Sequence, residues 1–156
     1  MSTTVSVTRT ITAPADHVWA LVADVTRMGE WSPETTACEW LQGATTAALG
    51  VRFRGANQNG TKKWKTTCKI NECEPGKSFG FGVHAGPLRL TQWSYHFESI
   101  NEGDSCVVTE STTNFVPGPI TKLGKFISGV SDRTEHNRAG MEVTLGNLAA
   151  AAESTP

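Results

Sequence analysis

The stretch VRFRGANQNGTKKWKTTC, residues 51–68, decides how the chain is expected to fold. At its centre lies Asn59-Gly60, a dipeptide typical of two-residue β-hairpin turns because both positions tolerate a positive φ. One face of the predicted hairpin is apolar or small, whereas charged side chains collect on the other face. The pairs that this turn predicts are Gln58 with Thr61, Gly55 with Trp64, Phe53 with Thr66 and Val51 with Cys68.

Two further turns extend this hairpin into a sheet. Pro75-Gly76 predicts that Ile70 pairs with Phe81, and Glu102-Gly103 predicts that Tyr95 pairs with Glu110. A slip of one residue would turn every side chain of a strand to the opposite face, so the agreement of three turns is a strong constraint. The predicted apolar face carries Phe53, Trp64, Phe79, Phe81, Trp93, Tyr95 and Phe97.

Leu88 and Leu90 do not fit this pattern. Either their side chains lie on the outer face, or a bulge near Thr91 shifts the register of the strand. Both alternatives are compatible with the sequence.

The remaining segments place helices around the sheet. An alternating strand up to Ile11 is followed by a helix that begins at Ala13-Pro14 and by a second short helix over Arg27 to Trp31. Strand-like segments run from about Thr35 to Phe115, and residues 117–119 (Pro-Gly-Pro) break the chain. Beyond that break the pattern is helical to about Ala152, which gives one domain over residues 1–152 and a frayed end over 153–156.

The long C-terminal helix is expected to cover the aromatic face of the sheet. Its apolar stripe has spacings of three and four residues, and four glycines interrupt it. These glycines indicate close packing or a kink at Gly129, or else side-chain volume removed to leave space above the sheet. The stripe comprises Leu123, Ile127, Val130, Thr134, Asn137, Met141, Leu145 and Leu148.

Composition narrows the classes of function. The 156 residues carry a net charge of −1, whereas a nucleic-acid-binding domain usually shows a basic excess, so we expect no nucleic-acid partner. No apolar run approaches the ~20 residues of a membrane span, and the N-terminus lacks the apolar block of a signal peptide, which favours a cytoplasmic protein. The four cysteines form no CxxC motif, and we expect free thiols, no metal site and no cofactor.

The ordered elements and several short motifs resemble the START-like SRPBCC superfamily, in particular its bacterial polyketide cyclase/dehydrase-like group. The matching pieces are Ala13-Pro14, Val18 to Asp24, Glu30 to Pro33, Asn57 with Gly60 and Trp64, Trp93 to Tyr95, Val108 to Ser111 and His136 to Met141. The resemblance implies an α+β helix-grip fold, in which a curved seven-stranded antiparallel sheet wraps around a long C-terminal helix and two short helices follow the first strand. It also implies an apolar cavity between sheet and helix.

The candidate ligand-binding residues are mainly aromatic, with a few polar groups that would fix orientation. They are Trp31, Phe53, Asn57, Trp64, Phe79, Phe81, Trp93, Tyr95, Glu110, Thr134, Asn137 and Met141. Glu110 lies directly opposite Tyr95 in the predicted register. It is either a structural partner of Tyr95 or Arg9, or an anchor for a hydroxyl or amine of the ligand; a general acid/base role has no second carboxylate to support it.

These features favour binding or transport of a small hydrophobic molecule, such as a lipid, a fatty acyl compound or an aromatic polyketide-like compound. Alternatives are a polyketide cyclase or dehydratase that uses the same cavity, and a regulatory protein-interaction module. No catalytic residue is assigned. A basic patch on the outer face of the first hairpin, which includes Arg52, Arg54 and Lys69, is a solvated sheet face or a site of transient membrane contact.

Overall fold

The computed structural model describes residues 3–116 and 118–154. Strand β1 (Thr3–Ile11) leads into helix α1 (Ala15–Ala23) and a 3₁₀ helix (Val25–Glu30). Six strands and two helices follow. They are β2 (Thr35–Trp40), β3 (Arg52–Asn59), β4 (Lys62–Glu74), β5 (Ser78–Ala85), β6 (Leu88–Ile100), β7 (Ser105–Asn114), α2 (Gly118–Ser128) and α3 (Arg133–Ser154).

The seven strands form one curved antiparallel sheet in the order β1-β7-β6-β5-β4-β3-β2. Every neighbouring pair except β1–β7 is a hairpin of consecutive strands, which keeps most connections short. β1 pairs with β7 and forms one edge of the sheet, and α3 packs across β1 and β7. The predicted α+β helix-grip class, with seven strands and short helices after the first strand, is therefore confirmed.

The registers of the second and third hairpins are confirmed. Ile70 pairs with Phe81, and Tyr95 pairs with Glu110. The register of the first hairpin was wrong by two residues, because Gly55 pairs with Thr66 rather than with Trp64. A shift of two residues preserves the faces, so the predicted aromatic face survives the correction.

The turn geometry explains this error. Asn59 still belongs to the ladder, where it pairs with Lys62, so the two-residue loop is Gly60-Thr61 rather than Asn59-Gly60. Gly60 has a φ of +61°, whereas neither Asn59 nor Thr61 has a positive φ. A turn with glycine at its first central position matches type II′, whereas the prediction assumed type I′ with glycine second.

A bulge resolves the position of Leu90. Val83 pairs with Thr91 whereas His84 pairs with Arg89, which leaves Leu90 as the extra residue of β6. Of the two alternatives for this region, the bulge is therefore the correct one.

The C-terminal helix is not continuous, and this corrects the predicted stripe. α2 ends at Ser128, Gly129 adopts a φ of +70°, and α3 begins at Arg133. Along α3 the stripe is buried from Asn137 to Leu148 and Thr134 is exposed, whereas on α2 Leu123 is 57% exposed and Ile127 is 41% exposed. The positive φ of Gly129 ends α2, so the apolar residues of α2 do not continue the buried face of α3.

The end of α3 also differs from the prediction. The helix continues through Ser154, and the carboxylate of Glu153 accepts a hydrogen bond of 2.9 Å from the backbone N–H of Thr12. Glu153 and Ser154 are thus helical rather than frayed, while residues 155–156 lie outside the described part of the chain.

Candidate ligand-binding cavity

A cavity of about 860 Å³ lies between the sheet and the two C-terminal helices. Strands β2 to β7 supply its floor, and α2 and α3 supply its roof. A large part of the floor is aromatic, and its rings come from four neighbouring strands. These floor aromatics are Phe53, Trp64, Phe81, Trp93 and Tyr95.

The structure brings ten of the twelve predicted residues together around this cavity. They are Phe53, Asn57, Trp64, Phe81, Trp93, Tyr95, Glu110, Thr134, Asn137 and Met141. Trp31 and Phe79 do not line it. Both are buried in the hydrophobic core with α1, where Trp31 is 3% exposed and Phe79 is 0% exposed.

Phe79 shares the inner face of the sheet with Phe81 but lies two residues earlier in β5, where helix α1 covers the sheet. The ring of Phe81 stands edge-on to Phe53 at 5.0 Å between centroids, so the floor aromatics pack against one another. Edge-to-face contacts of this kind hold aromatic rings in fixed orientations.

Glu110 is a buried carboxyl group in the cavity wall. It is 2% exposed, and its Oε1 accepts a hydrogen bond of 2.8 Å from the hydroxyl of Tyr95. Its Oε2 is also buried and has no hydrogen-bond partner among the described residues. Burial raises the pKa of Glu110 to about 8, and the hydrogen bond from Tyr95 opposes part of this shift.

These contacts decide between the structural partners that the sequence offered for Glu110. Arg9 of β1 pairs with Val108 rather than with Glu110, and its side chain is exposed. Tyr95, by contrast, lies directly opposite Glu110 in the β6–β7 ladder. Burial is the main cause that raises the pKa of Tyr95 well above its ordinary value, and the nearby Glu110 is the second cause. The phenol therefore stays protonated and remains a donor.

A polar network lies along the β2–β3–β4 side of the cavity. The side-chain oxygen of Asn57 accepts a hydrogen bond of 2.9 Å from the hydroxyl of Thr35, and its NH₂ group donates to Thr66 over 3.2 Å. Because Asn57 is only 8% exposed, these two bonds offset the cost of burying its amide.

A second polar group, of which the sequence prediction named only Asn137, joins the start of α3 to the segment before β2. Glu34 accepts hydrogen bonds from Arg133 at 2.9 and 3.0 Å, and it contacts Nε2 of His136 at 2.7 Å. Arg133 also donates to Asn137 over 3.3 Å. All four side chains line the cavity.

The sequence held a partial signal for this group. Arg133, His136 and Asn137 are three and four residues apart, which places them on one helical face. Glu34 follows Ser32-Pro33 in an irregular segment, and no local pattern predicts its long-range contact with α3.

Two cysteines line the cavity as thiols. Cys38 and Cys68 are free, and burial raises the pKa of each to about 12. At that pKa the reactive thiolate is scarce at neutral pH. Within residues 3–116 and 118–154, no cluster of three or more His, Cys, Asp or Glu side chains is arranged to hold a metal ion.

Comparison with known proteins places the chain in a family. The family model described as polyketide cyclase / dehydrase and lipid transport matches residues 2–153. The chain belongs to this family. Among curated proteins, none matches it significantly in sequence.

One solved structure agrees with the family assignment. A Polyketide_cyc-like protein of Corynebacterium glutamicum, Cgl2372, is 31% identical, with 97% of this chain and 83% of that chain covered and a TM-score of 0.55. Two more distant structures share the fold. Ginseng major latex-like protein 151 (Panax ginseng) has 14% identity, coverage of 99% of both chains and a TM-score of 0.72. CV1439 of Chromobacterium violaceum has 16% identity, coverage of 96% and 97% and a TM-score of 0.70.

The family description supports a ligand-binding role. In the described part of the chain, no helix combines the length and hydrophobicity needed to cross a membrane.

Proposed function

We propose that the protein binds a small hydrophobic molecule in the cavity between the sheet and the C-terminal helices. The observation that carries this proposal is the cavity itself, with about 860 Å³ of space above a floor of aromatic rings. Ligand sites in proteins typically have roughly 300–1,000 Å³ and are lined mainly by apolar groups with a few placed polar ones. A lipid, a fatty acyl compound or an aromatic polyketide-like compound fits this description.

The glycines of the roof support the same proposal. Gly124 on α2 and Gly140 on α3 both line the cavity. A Cβ atom at Gly124 would meet no atom within 4 Å, and one at Gly140 would meet only Pro33 at an ordinary 3.7 Å. Packing therefore does not demand glycine at either position. Their missing side chains leave space on the cavity side of both helices.

Glu110 supports an oriented mode of binding. Oε1 accepts the hydrogen of Tyr95, so a protonated Glu110 carries its own proton on Oε2. With no partner for Oε2 among the described residues, that proton is free to meet an acceptor on the ligand. We therefore propose a ligand whose apolar body carries at least one carbonyl, carboxyl or hydroxyl oxygen.

Native mass spectrometry of the purified protein tests the binding proposal. The expected result is a protein ion with added mass, from which solvent extraction releases an apolar compound bearing oxygen. The extracted protein should regain this mass when the compound is returned. If the protein stays free of ligand when purified and also when offered fatty acids and aromatic polyketides, the proposal is wrong.

A second candidate is an enzyme that cyclises or dehydrates such a ligand. The specific observation in its favour is the pKa of Glu110 of about 8, since general acids and bases work best with a pKa near the operating pH. The Glu110→Gln variant separates the two candidates. Unchanged affinity for the identified ligand together with lost turnover would favour the enzyme, whereas altered affinity without any turnover in the native protein favours the carrier.

A further inference from the structure

Helix α2 carries its apolar face outward. Its exposed side chains include Ile120 at 36%, Leu123 at 57%, Phe126 at 74% and Ile127 at 41%. These positions form one stripe, because Ile120, Leu123 and Ile127 follow spacings of three and four residues and Phe126 borders them. A surface helix of a globular protein normally turns such a stripe toward the core.

The opposite side of α2 faces the cavity, and its residues are mostly small or polar. Thr121, Gly124, Lys125 and Ser128 line the cavity wall, and Ile127 lies at the border, where it both lines the cavity and is exposed. The end of the helix is fixed to the first hairpin, because the carbonyl of Ser128 accepts a hydrogen bond of 2.9 Å from Asn59. The outward orientation of the apolar stripe thus follows from how the helix is attached.

Basic side chains accompany the exposed apolar groups. Lys62 lies over the ring of Phe126 at 5.1 Å, and Lys122 is exposed on α2, which contains no acidic residue. Phe115, which precedes α2 and is also exposed, has Arg89 over its ring at 4.5 Å. The local charge is therefore positive, although the whole chain has a net charge of −1. We define the docking face as Ile120, Leu123, Phe126, Ile127, Lys62 and Lys122.

We propose that the docking face binds the surface of an anionic phospholipid membrane, with α2 lying in the plane of the interface. Interfacial helices combine Phe and Leu on one face with lysines beside it, and anionic lipids attract those lysines. A second copy of the chain fits less well, because a two-fold contact would bring two positively charged faces together. Since α2 is also a wall of the cavity, docking would place the cavity next to the membrane.

The purpose of this docking rests on the proposed function, since a membrane supplies or receives a hydrophobic ligand. The docking itself is testable without any ligand. Sedimentation with vesicles should show that the full chain binds vesicles of phosphatidylcholine and phosphatidylglycerol in equal parts more tightly than vesicles of phosphatidylcholine alone.

Two double variants test the docking face. Leu123→Ser with Phe126→Ser should weaken binding to the anionic vesicles by at least about tenfold, because two exposed apolar groups no longer enter the interface. Lys62→Gln with Lys122→Gln should weaken it by about fivefold for each lysine, and added salt should reduce the difference.

Matched controls make comparable substitutions elsewhere. Leu49 is 67% exposed and Val143 is 47% exposed, so Leu49→Ser with Val143→Ser removes as many exposed apolar groups outside the docking face. Arg52→Gln with Lys69→Gln removes two charges from the outer face of the sheet, where the two residues pair. Both controls should bind anionic vesicles as the native protein does.

Three outcomes would overturn the proposal: no binding of the native protein to anionic vesicles, undiminished binding of the Leu123→Ser with Phe126→Ser variant, or equal loss in the controls. Self-association that this variant abolishes, without vesicle binding, would assign the face to a second copy.

Ligand affinity measured in solution keeps the two proposals separate. The docking variants should retain it, and failure of ligand binding alone would leave the docking result standing.

Discussion

At the scale of single residues, Glu110 is the group whose chemistry depends most on the fold. Its pKa rises from an ordinary value near 4.5 to about 8 in the folded protein. Between these values the folded state holds a proton that the unfolded state has released, so the free energy of unfolding falls as pH rises through this window. The slope approaches about 1.4 kcal/mol per pH unit at most.

The Glu110→Gln variant should lose this pH dependence. Glutamine keeps the shape and one acceptor for Tyr95 but does not titrate, so stability should stay nearly flat between pH 5 and about 8. Denaturant unfolding of both proteins across this range measures the effect. If the difference in stability between the two proteins does not change with pH over this range, Glu110 is ionised in the folded state. The remaining titrating groups are common to both proteins and cancel in the comparison.

Tyr95→Phe provides the complementary test. The substitution leaves Oε1 of Glu110 without its donor, and an unsatisfied buried acceptor costs about 1–3 kcal/mol. We expect a loss of stability of that size, and a further rise in the pKa of Glu110, because the hydrogen bond that lowers it has gone. Urea unfolding measures the first effect. A loss below about 0.5 kcal/mol would mean that the hydrogen bond contributes little.

At the scale of secondary-structure elements, hairpins were predicted better than helices. The face of each strand follows from alternation and turn position, and this information is local. Alternation does not decide between a type I′ and a type II′ turn at Gly60. The two turns differ by two residues of register, and this difference leaves every side chain on the same face. The bulge at Leu90 was recognisable only as one of two alternatives.

The helical errors have a different physical cause. Periodicity reports which residues share a helical face, but it does not report what that face meets. The stripe of α3 is buried from Asn137 onward, whereas the stripe of α2 is exposed, although both satisfy the same spacing. Long-range pairs such as Glu34 with Arg133 depend on the finished fold, so the sequence predicted most of the cavity floor but little of its polar rim.

Gly140 gives a prediction at the same scale. It lies within α3, and an added Cβ would meet only Pro33 at 3.7 Å. Gly140→Ala should therefore raise the free energy of unfolding by up to about 1 kcal/mol through helix propensity, while its methyl group takes up cavity volume. Thermal and urea unfolding measure the change. A loss of stability would indicate that the helix needs close approach at this position and that the glycine serves packing.

At the scale of the whole molecule, the sheet, the two C-terminal helices and the segment before β2 enclose one space. Ligand binding should therefore stabilise the entire domain rather than one element. For a ligand that binds only the folded state, a free concentration of about 100 times Kd raises the free energy of unfolding by about 2.7 kcal/mol. That gain should be absent when the cavity is blocked, for example by Gly140→Phe, provided that the variant itself remains folded.

The tryptophans provide a direct signal for this binding. Of the five tryptophans, Trp64 and Trp93 line the cavity, whereas Trp40 packs edge-on to Phe53 at 6.1 Å and is not part of the lining. Returning the extracted compound to the protein should change the tryptophan emission, because the surroundings of these two indoles lose water and gain apolar contacts. Trp64→Phe with Trp93→Phe should abolish most of the change, whereas Trp40→Phe should preserve it. If the double variant still shows the full change at unaltered affinity, the ligand occupies a site other than this cavity.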